Sequence, residues 1–275
     1  MKIAFQGAFG ANSDMACRAV YPECETLPCP DFDDAFNAVC TGKADLAMIP
    51  VENSVAGRVA DVHHLLPEGK LHIIGEHYQP IEHHLLAIPG AKLKDIKRVE
   101  SHVQALAQCR KWLKRHDIKP VIHDDTAGAA EEIAKRGDKT VAAIASELAG
   151  KIYGLKSLAT GIADGAGNTT RFLILSRKAK EASRGSDCIT TLVFTVRSVP
   201  AALYKAMGGF ATNGVNITKL ESYLAEGNFT AAQFYVDVEG HPKNRPLRLA
   251  LEELAFFAHE VKILGIYPAH PFRRG

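Results

Sequence analysis

GIADGAGNTTRFLIL, residues 161–175, decides how the rest of the chain is read. Phe172, Leu173, Ile174 and Leu175 form a short apolar run of the kind that becomes a buried strand. Ahead of it, Gly161, Gly165 and Gly167 break the pattern and let a backbone approach a ligand closely. Between the glycines and the strand stand a carboxamide, two hydroxyls and a guanidinium, on Asn168, Thr169, Thr170 and Arg171. Arginine offers a planar fork matched to a carboxylate. A loop that carries such groups to the mouth of a strand reads as an anion-binding site. Taken alone, the pentapeptide also fits a plain surface turn.

Upstream, strand-like and helix-like runs alternate. Residues 2–5 read as a strand, 13–20 as a helix capped by Ser13 or Asn12, and 31–40 as a helix led by Asp31 and stopped at Gly42. Residues 46–51 and 71–75 read as buried strands. This order implies a mostly parallel sheet covered on both faces. The pattern restarts near Tyr78. Strands are expected at 84–88, 120–123 and 141–144. Helices are expected at 103–116, with Trp112 on the apolar side, at 126–136 behind a Thr126 cap, and from Ser146 to Tyr153. The result is a second α/β lobe, after which 172–176 adds one more strand.

Downstream, 178–187 is polar and reads as a linker. Strands follow at 189–196, 215–224, 229–238 and 261–267, with a turn at 225–228. Helices fall at 200–213, with Pro200 in the first turn, and at 246–259. The order βαββαβ is that of a ferredoxin-like domain.

A chain of 275 residues suits two or three compact units, and 47% hydrophobic with 23% charged residues is ordinary for a soluble globular protein. A net charge of +2 argues against a nucleic-acid surface. Arg98, Arg110, Lys111, Lys114 and Arg115 cluster, but with helical spacing that fits a solvated face. No apolar run is long enough for a bilayer. The first residues enter a strand at once, without the layout of a secretory signal, so a cytoplasmic protein is expected. Six cysteines without a Cys-x-x-Cys pair read as reduced thiols. The doublets His63-His64 and His83-His84 point in divergent directions and make poor chelators, so no metal is expected. Gly7 and Gly10 follow a strand but lack a full dinucleotide fingerprint.

Three segments, PVENSVAGR at 50–58, SHVQALAQC at 101–109 and NTTRF at 168–172, together resemble the prephenate dehydratase family, and the likeness runs from Met1 to about Pro268. The resemblance implies a two-lobed, periplasmic-binding-protein-like (type II) α/β catalytic domain at 1–178. Lobe one would take 1–77 and 160–178, and lobe two 78–159. It also implies conversion of prephenate to phenylpyruvate, carbon dioxide and water, driven by aromatisation and therefore needing no cofactor. Thr170 matches the family's Thr-Arg-Phe threonine and would contact the leaving hydroxyl, with a turn hydroxyl bonded to its own backbone as the alternative. Arg171 fits a substrate carboxylate or a structural ion pair equally. Asn168 and Thr169 add hydrogen bonds. Asn53 and Ser54 would aim a turn at a carboxylate, and Glu52 would brace the lobe or relay a proton. Ser101 and Gln104 would close from the far wall, with a helix cap as Ser101's other role, and His102 is a candidate proton donor. Val103 stands where the family has proline.

Residues 189–268 resemble the ACT domain, a small amino-acid-sensing module. The resemblance implies L-phenylalanine as effector and a homodimer or homotetramer joined through this domain. Ala202, Leu203, Asn213, Asn216, Glu221 and Ser222 would form the effector site. Ala201 replaces a family glycine, and Tyr223 and Leu224 replace Arg-Pro, so weakened feedback is expected. Arogenate dehydratase and a non-catalytic two-lobed binding protein are the competing functions.

Overall fold

The computed structural model describes residues 1–196, 199–224 and 232–274. The chain divides into two compact units, Met1–Ala60 with His77–Phe172, and Asp61–Glu76 with Leu173–Gly275. Both mix helices and strands.

The first unit opens with β1 (Lys2–Gln6), α1 (Asn12–Val20), β2 (Glu25–Cys29), α2 (Phe32–Cys40), β3 (Leu46–Asn53) and the short β4 (Gly57–Arg58). Strands β2, β1 and β3 lie side by side in parallel, and β4 folds back on β3. The first four residues of β3 are buried, as a covered parallel sheet requires. Asp31 caps α2 as expected, accepting from Asp34 N at 2.7 Å. At α1 the cap is Ala11, not Ser13 or Asn12, and no side chain bonds the helix start there. Buried Asp14 instead accepts from Gly10 N at 2.9 Å, closing the same turn from inside the helix.

Helix α3 (Ala60–Glu68) and strand β5 (His72–Pro80) follow. The first unit then builds a second sheet from β6 (His84–Ala87), β7 (Arg98–Ser101), β8 (Lys119–Ile122), β9 (Val141–Ala145) and β10 (Lys156–Ala159), in the order β10-β6-β9-β7-β8. Central β9, Val-Ala-Ala-Ile-Ala, is buried throughout. Helices α4 (Val103–Gln108), α5 (Arg110–Arg115), α6 (Thr126–Arg136) and α7 (Glu147–Ile152) pack around it. The expected single helix over 103–116 is broken at Cys109. Asp125, one residue before Thr126, caps α6. Ser146 caps α7 as expected, with Ala149 N donating to its hydroxyl at 3.0 Å. The chain then returns to the first sheet through β11 (Thr169–Ser176). The second sheet is thus inserted in the chain between β3 and β11.

The second unit contains β12 (Cys188–Val196), α8 (Ala202–Thr212), β13 (Ile217–Leu224), β14 (Ala232–Glu239), α9 (Arg245–Phe257) and β15 (Ala258–Pro268). Their strand order, β13-β14-β12-β15, is that of a ferredoxin-like sheet. The turn expected at 225–228 lies outside the described residues. Strand β15 also pairs with β5 in parallel at Gly265 and Ile73. A Cβ on Gly265 would come 2.2 Å from Ile73 O, so only glycine permits that approach. Phe194, Phe210, Phe234, Leu247 and Leu254 form the core between helices and sheet. Arg273 of the C-terminal tail grips buried Glu76 through both oxygens, at 2.7 and 2.9 Å.

Candidate active site

Two strand ends build the site. β3 finishes at Asn53 and β11 starts at Thr169, and the chain beyond each is stitched to the other. Ser54 N donates to Thr169 O, and Thr169 N donates to Ser54 Oγ, both at 2.9 Å. The Ser54 hydroxyl donates in turn to Gly167 O at 2.8 Å. Ser54 therefore ties the glycine loop to the end of β3.

A directed chain of side-chain hydrogen bonds crosses this junction. Asn53 Oδ1 accepts from Val55 N and Ala56 N, which fixes its amide group facing the other way. Asn53 Nδ2 donates to Asn168 Oδ1 at 2.7 Å and to Thr170 Oγ1 at 2.9 Å. Asn168 Nδ2 donates to Gln108 Oε1 at 2.9 Å. His83 Nε2 lies 2.6 Å from the same oxygen, so that nitrogen carries the proton. Two consequences follow. Thr170 accepts from Asn53 and keeps its own proton for another acceptor. Gln108 uses its oxygen twice, which leaves its amide nitrogen as the donor.

Gln108 and Asn168 line a pocket of about 360 Å³, together with Val55, Ala56, Gln104, Ala107, Ala163, Asp164 and Gly165. The size suits one small ligand. Asn53 stands one hydrogen bond behind Asn168, and Thr170 one further, bonded to Asn53. The walls are mainly apolar, and Asp164 is the charged member of the lining. Its oxygens accept from Lys111 N at 2.8 Å and Trp112 N at 3.2 Å. His83 is buried, and that burial holds its pKa below the ordinary histidine value. Burial pushes the Cys109 thiol up to about 12, so it stays protonated. Among the described residues no group of three His, Cys, Asp or Glu side chains gathers where a metal ion could be held.

The structure brings Asn53, Ser54, Asn168, Thr169 and Thr170 together. Arg171 is only 2% exposed and pairs with Glu52 at 3.3 Å, outside the pocket lining. Ser101 is fully buried at the end of β7 and donates to Ile144 O at 2.6 Å. The cap of α4 is His102, whose Nδ1 accepts from Gln104 N at 3.3 Å. Reading the sequence missed His83, Gln108 and Asp164. Gln108 was within reach, because Gln104 and Gln108 share a helix face four residues apart.

In the second unit, Ala202 is buried at the start of α8 and Leu203 packs on the core. Asn213 Nδ2 donates to Gly209 O at 2.8 Å and to Glu253 Oε1 at 3.0 Å, closing the end of α8. Asn216 O accepts from Glu239 N at 3.0 Å. Glu221 and Ser222 lie on β13, with Lys219 Nζ 3.3 Å from Glu221. Ala201 sits in the left-handed region with φ of 63°.

The chain is similar to known proteins along nearly its whole length. A protein of Komagataeibacter europaeus named bifunctional N-acyl-homoserine lactone acylase/prephenate dehydratase is 52% identical over 99% of this chain and 97% of its own length. Arogenate dehydratase/prephenate dehydratase 2 of Arabidopsis thaliana is 40% identical over 98% of this chain and 73% of its own. A crystal structure of prephenate dehydratase from Arthrobacter aurescens, in complex with L-Phe, superposes with a TM-score of 0.90. It is 32% identical and covers 98% of this chain and 90% of its own. Residues 3–180 match the prephenate dehydratase family. The chain belongs to the prephenate dehydratase family, a family of hydro-lyases.

Proposed function

We propose that this chain converts prephenate to phenylpyruvate, carbon dioxide and water at the pocket between α4 and the glycine loop. The hydrogen-bond chain that ends on Thr170 carries this reading. Prephenate loses its ring carboxylate as carbon dioxide. The electron pair of that bond enters the ring, and the hydroxyl opposite departs as water after taking a proton. Atoms and charges balance without an external oxidant or reductant.

Each part of the site supports one need of that reaction. The Thr170 hydroxyl accepts from Asn53, which leaves its own proton free to be donated to a leaving hydroxyl that reaches past Asn168. It serves as a positioned donor in a relay, since a threonine is too weak an acid to act alone. The apolar walls suit the ring and stabilise a departing carboxylate poorly, which favours its loss as a neutral molecule. The amides of Gln104 and Gln108 and the loop backbone supply donors to the pyruvyl group. Ser54 and Thr169 hold the loop. Arg171 anchors Glu52, and Ser101 braces β7 against β9. Both support the site from behind.

Arogenate differs from prephenate by an ammonium in place of the keto oxygen. A site made for it needs a carboxylate facing that ammonium. Asp164 is the carboxylate in the pocket lining; two amides of α5 fix its orientation and its other lone pairs stay available, so the choice of prephenate rests on the family match and not on this residue. Comparing kcat/KM for the two substrates tests the choice; a preference for arogenate would reverse it. An N-acyl lactone in the same assay tests the second activity in the Komagataeibacter relative's name.

We assign catalysis to 1–178 in a cytoplasmic enzyme, and L-phenylalanine sensing to an ACT domain at 189–268, working as a dimer or tetramer. The ferredoxin-like strand order and the L-Phe complex of the Arthrobacter relative support this assignment.

A further inference from the structure

The loop 160–168 has three glycines, and Gly161 and Gly167 sit at φ of 58° and 80°. A side chain at Gly161, Gly165 or Gly167 would meet nothing within 4 Å, so packing does not confine the loop at those points. Glycine-rich segments lose much conformational freedom when ordered, and something must hold this one in place. Ile162 enters the core. Ser54 holds Gly167, and Asn168 bonds Gln108. Asp164 makes three further ties to the facing wall. Its backbone N donates to Gln108 O at 2.7 Å. Its carboxylate accepts from Lys111 N and Trp112 N, from 53 and 52 residues away. Those two amides belong to the first turn of α5, which restarts after the break at Cys109 and lacks helical partners there.

We infer that Asp164 is a positioning residue. It registers the glycine loop on the α4–α5 junction and so holds Asn168 against Gln108. The inference rests on the pocket being the substrate site, and it adds the residue that sets the pocket's width. The break in the helix is part of the device, because an unbroken helix would leave no free amides for Asp164 to take.

Amide hydrogen exchange and steady-state kinetics on Asp164→Ala and Asp164→Asn test it together. Lys111 and Trp112 report the carboxylate directly. Ile81 reports the loop register, because its N donates to Asn168 O at 2.9 Å. Amides of β9 serve as the control for global folding. In Asp164→Ala, protection at Lys111, Trp112 and Ile81 should fall together while β9 stays protected. KM for prephenate should rise roughly ten- to hundredfold, the scale of losing hydrogen bonds to a charged group, with a smaller fall in kcat. Asp164→Asn keeps one acceptor oxygen and should fall between wild type and alanine. Unchanged protection at Lys111 and Trp112 overturns the inference. So does loss there with Ile81 still protected, or combined loss with kcat and KM unchanged. If wild-type protein leaves prephenate untouched, the substrate reading fails separately, and the exchange at Ile81 still decides whether Asp164 registers the loop.

Discussion

Thr170, His83 and Ala201 each carry a consequence of one side chain's surroundings. In the proposed reaction, Thr170→Ala removes a donor used only as the hydroxyl leaves. Turnover should drop by about a hundredfold with KM nearly unchanged, as for loss of one transition-state donor. Near-normal kcat would remove Thr170 from the reaction. Burial holds the pKa of His83 below the ordinary histidine value and favours its neutral form. The unfolded chain takes a proton on this histidine near pH 6.5 while the folded chain does not, so stability is lost as pH falls below that value. The wild type should lose more stability than His83→Gln between pH 7.5 and 5.5, measured by urea midpoints. Equal losses would contradict the buried neutral state. Ala201, at φ of 63°, occupies a conformation that costs an L-residue about 1 kcal/mol and glycine little. Ala201→Gly should raise the urea midpoint accordingly. The polar motif around Asn53, Asn168 and Thr170 was legible in sequence because it stands at strand ends. Gln108 was within reach only through its spacing from Gln104, and His83 was concealed as half of a doublet.

At the scale of elements, strand order and type were legible wherever apolar runs were long. The buried runs of β9 and β12 and the alternation of β13 show this. Short strands were not. β2 contains Pro28, which reads as a turn but is tolerated at a sheet edge. β7, Arg-Val-Glu-Ser, looks polar because Glu100 is buried against Arg136 at 2.6 Å, a pairing distant in sequence. The break at Cys109 was equally invisible, since the apolar spacing of Leu106, Cys109 and Leu113 runs straight through it. Asp164, far along the chain, makes the break stable. The contact of β15 with β5 is likewise a tertiary fact. Gly265→Ala would drive a methyl into Ile73 O. It should cost about 3 kcal/mol of stability, the upper part of the usual range for overpacking. A midpoint within error of wild type would mean that β5 and β15 do not approach so closely.

For the whole molecule, the proposed sensing role of the second unit predicts a phenylalanine response. An effector shifts such a protein only by its different affinity for two states. With Ala201, Tyr223 and Leu224 altering the effector segments, phenylalanine should inhibit the full chain more weakly than it inhibits a chain carrying the family's Gly and Arg-Pro at those places. Activity titrated with phenylalanine checks this, and a flat curve would leave the module with assembly alone. The Asn53–Thr170 site is proposed to dehydrate prephenate with no added cofactor. Chelator-treated protein, supplied with prephenate and nothing else, should form phenylpyruvate at the untreated rate, and Thr170→Ala should form it about a hundredfold more slowly. No phenylpyruvate, or formation only with added metal or nicotinamide, would contradict it.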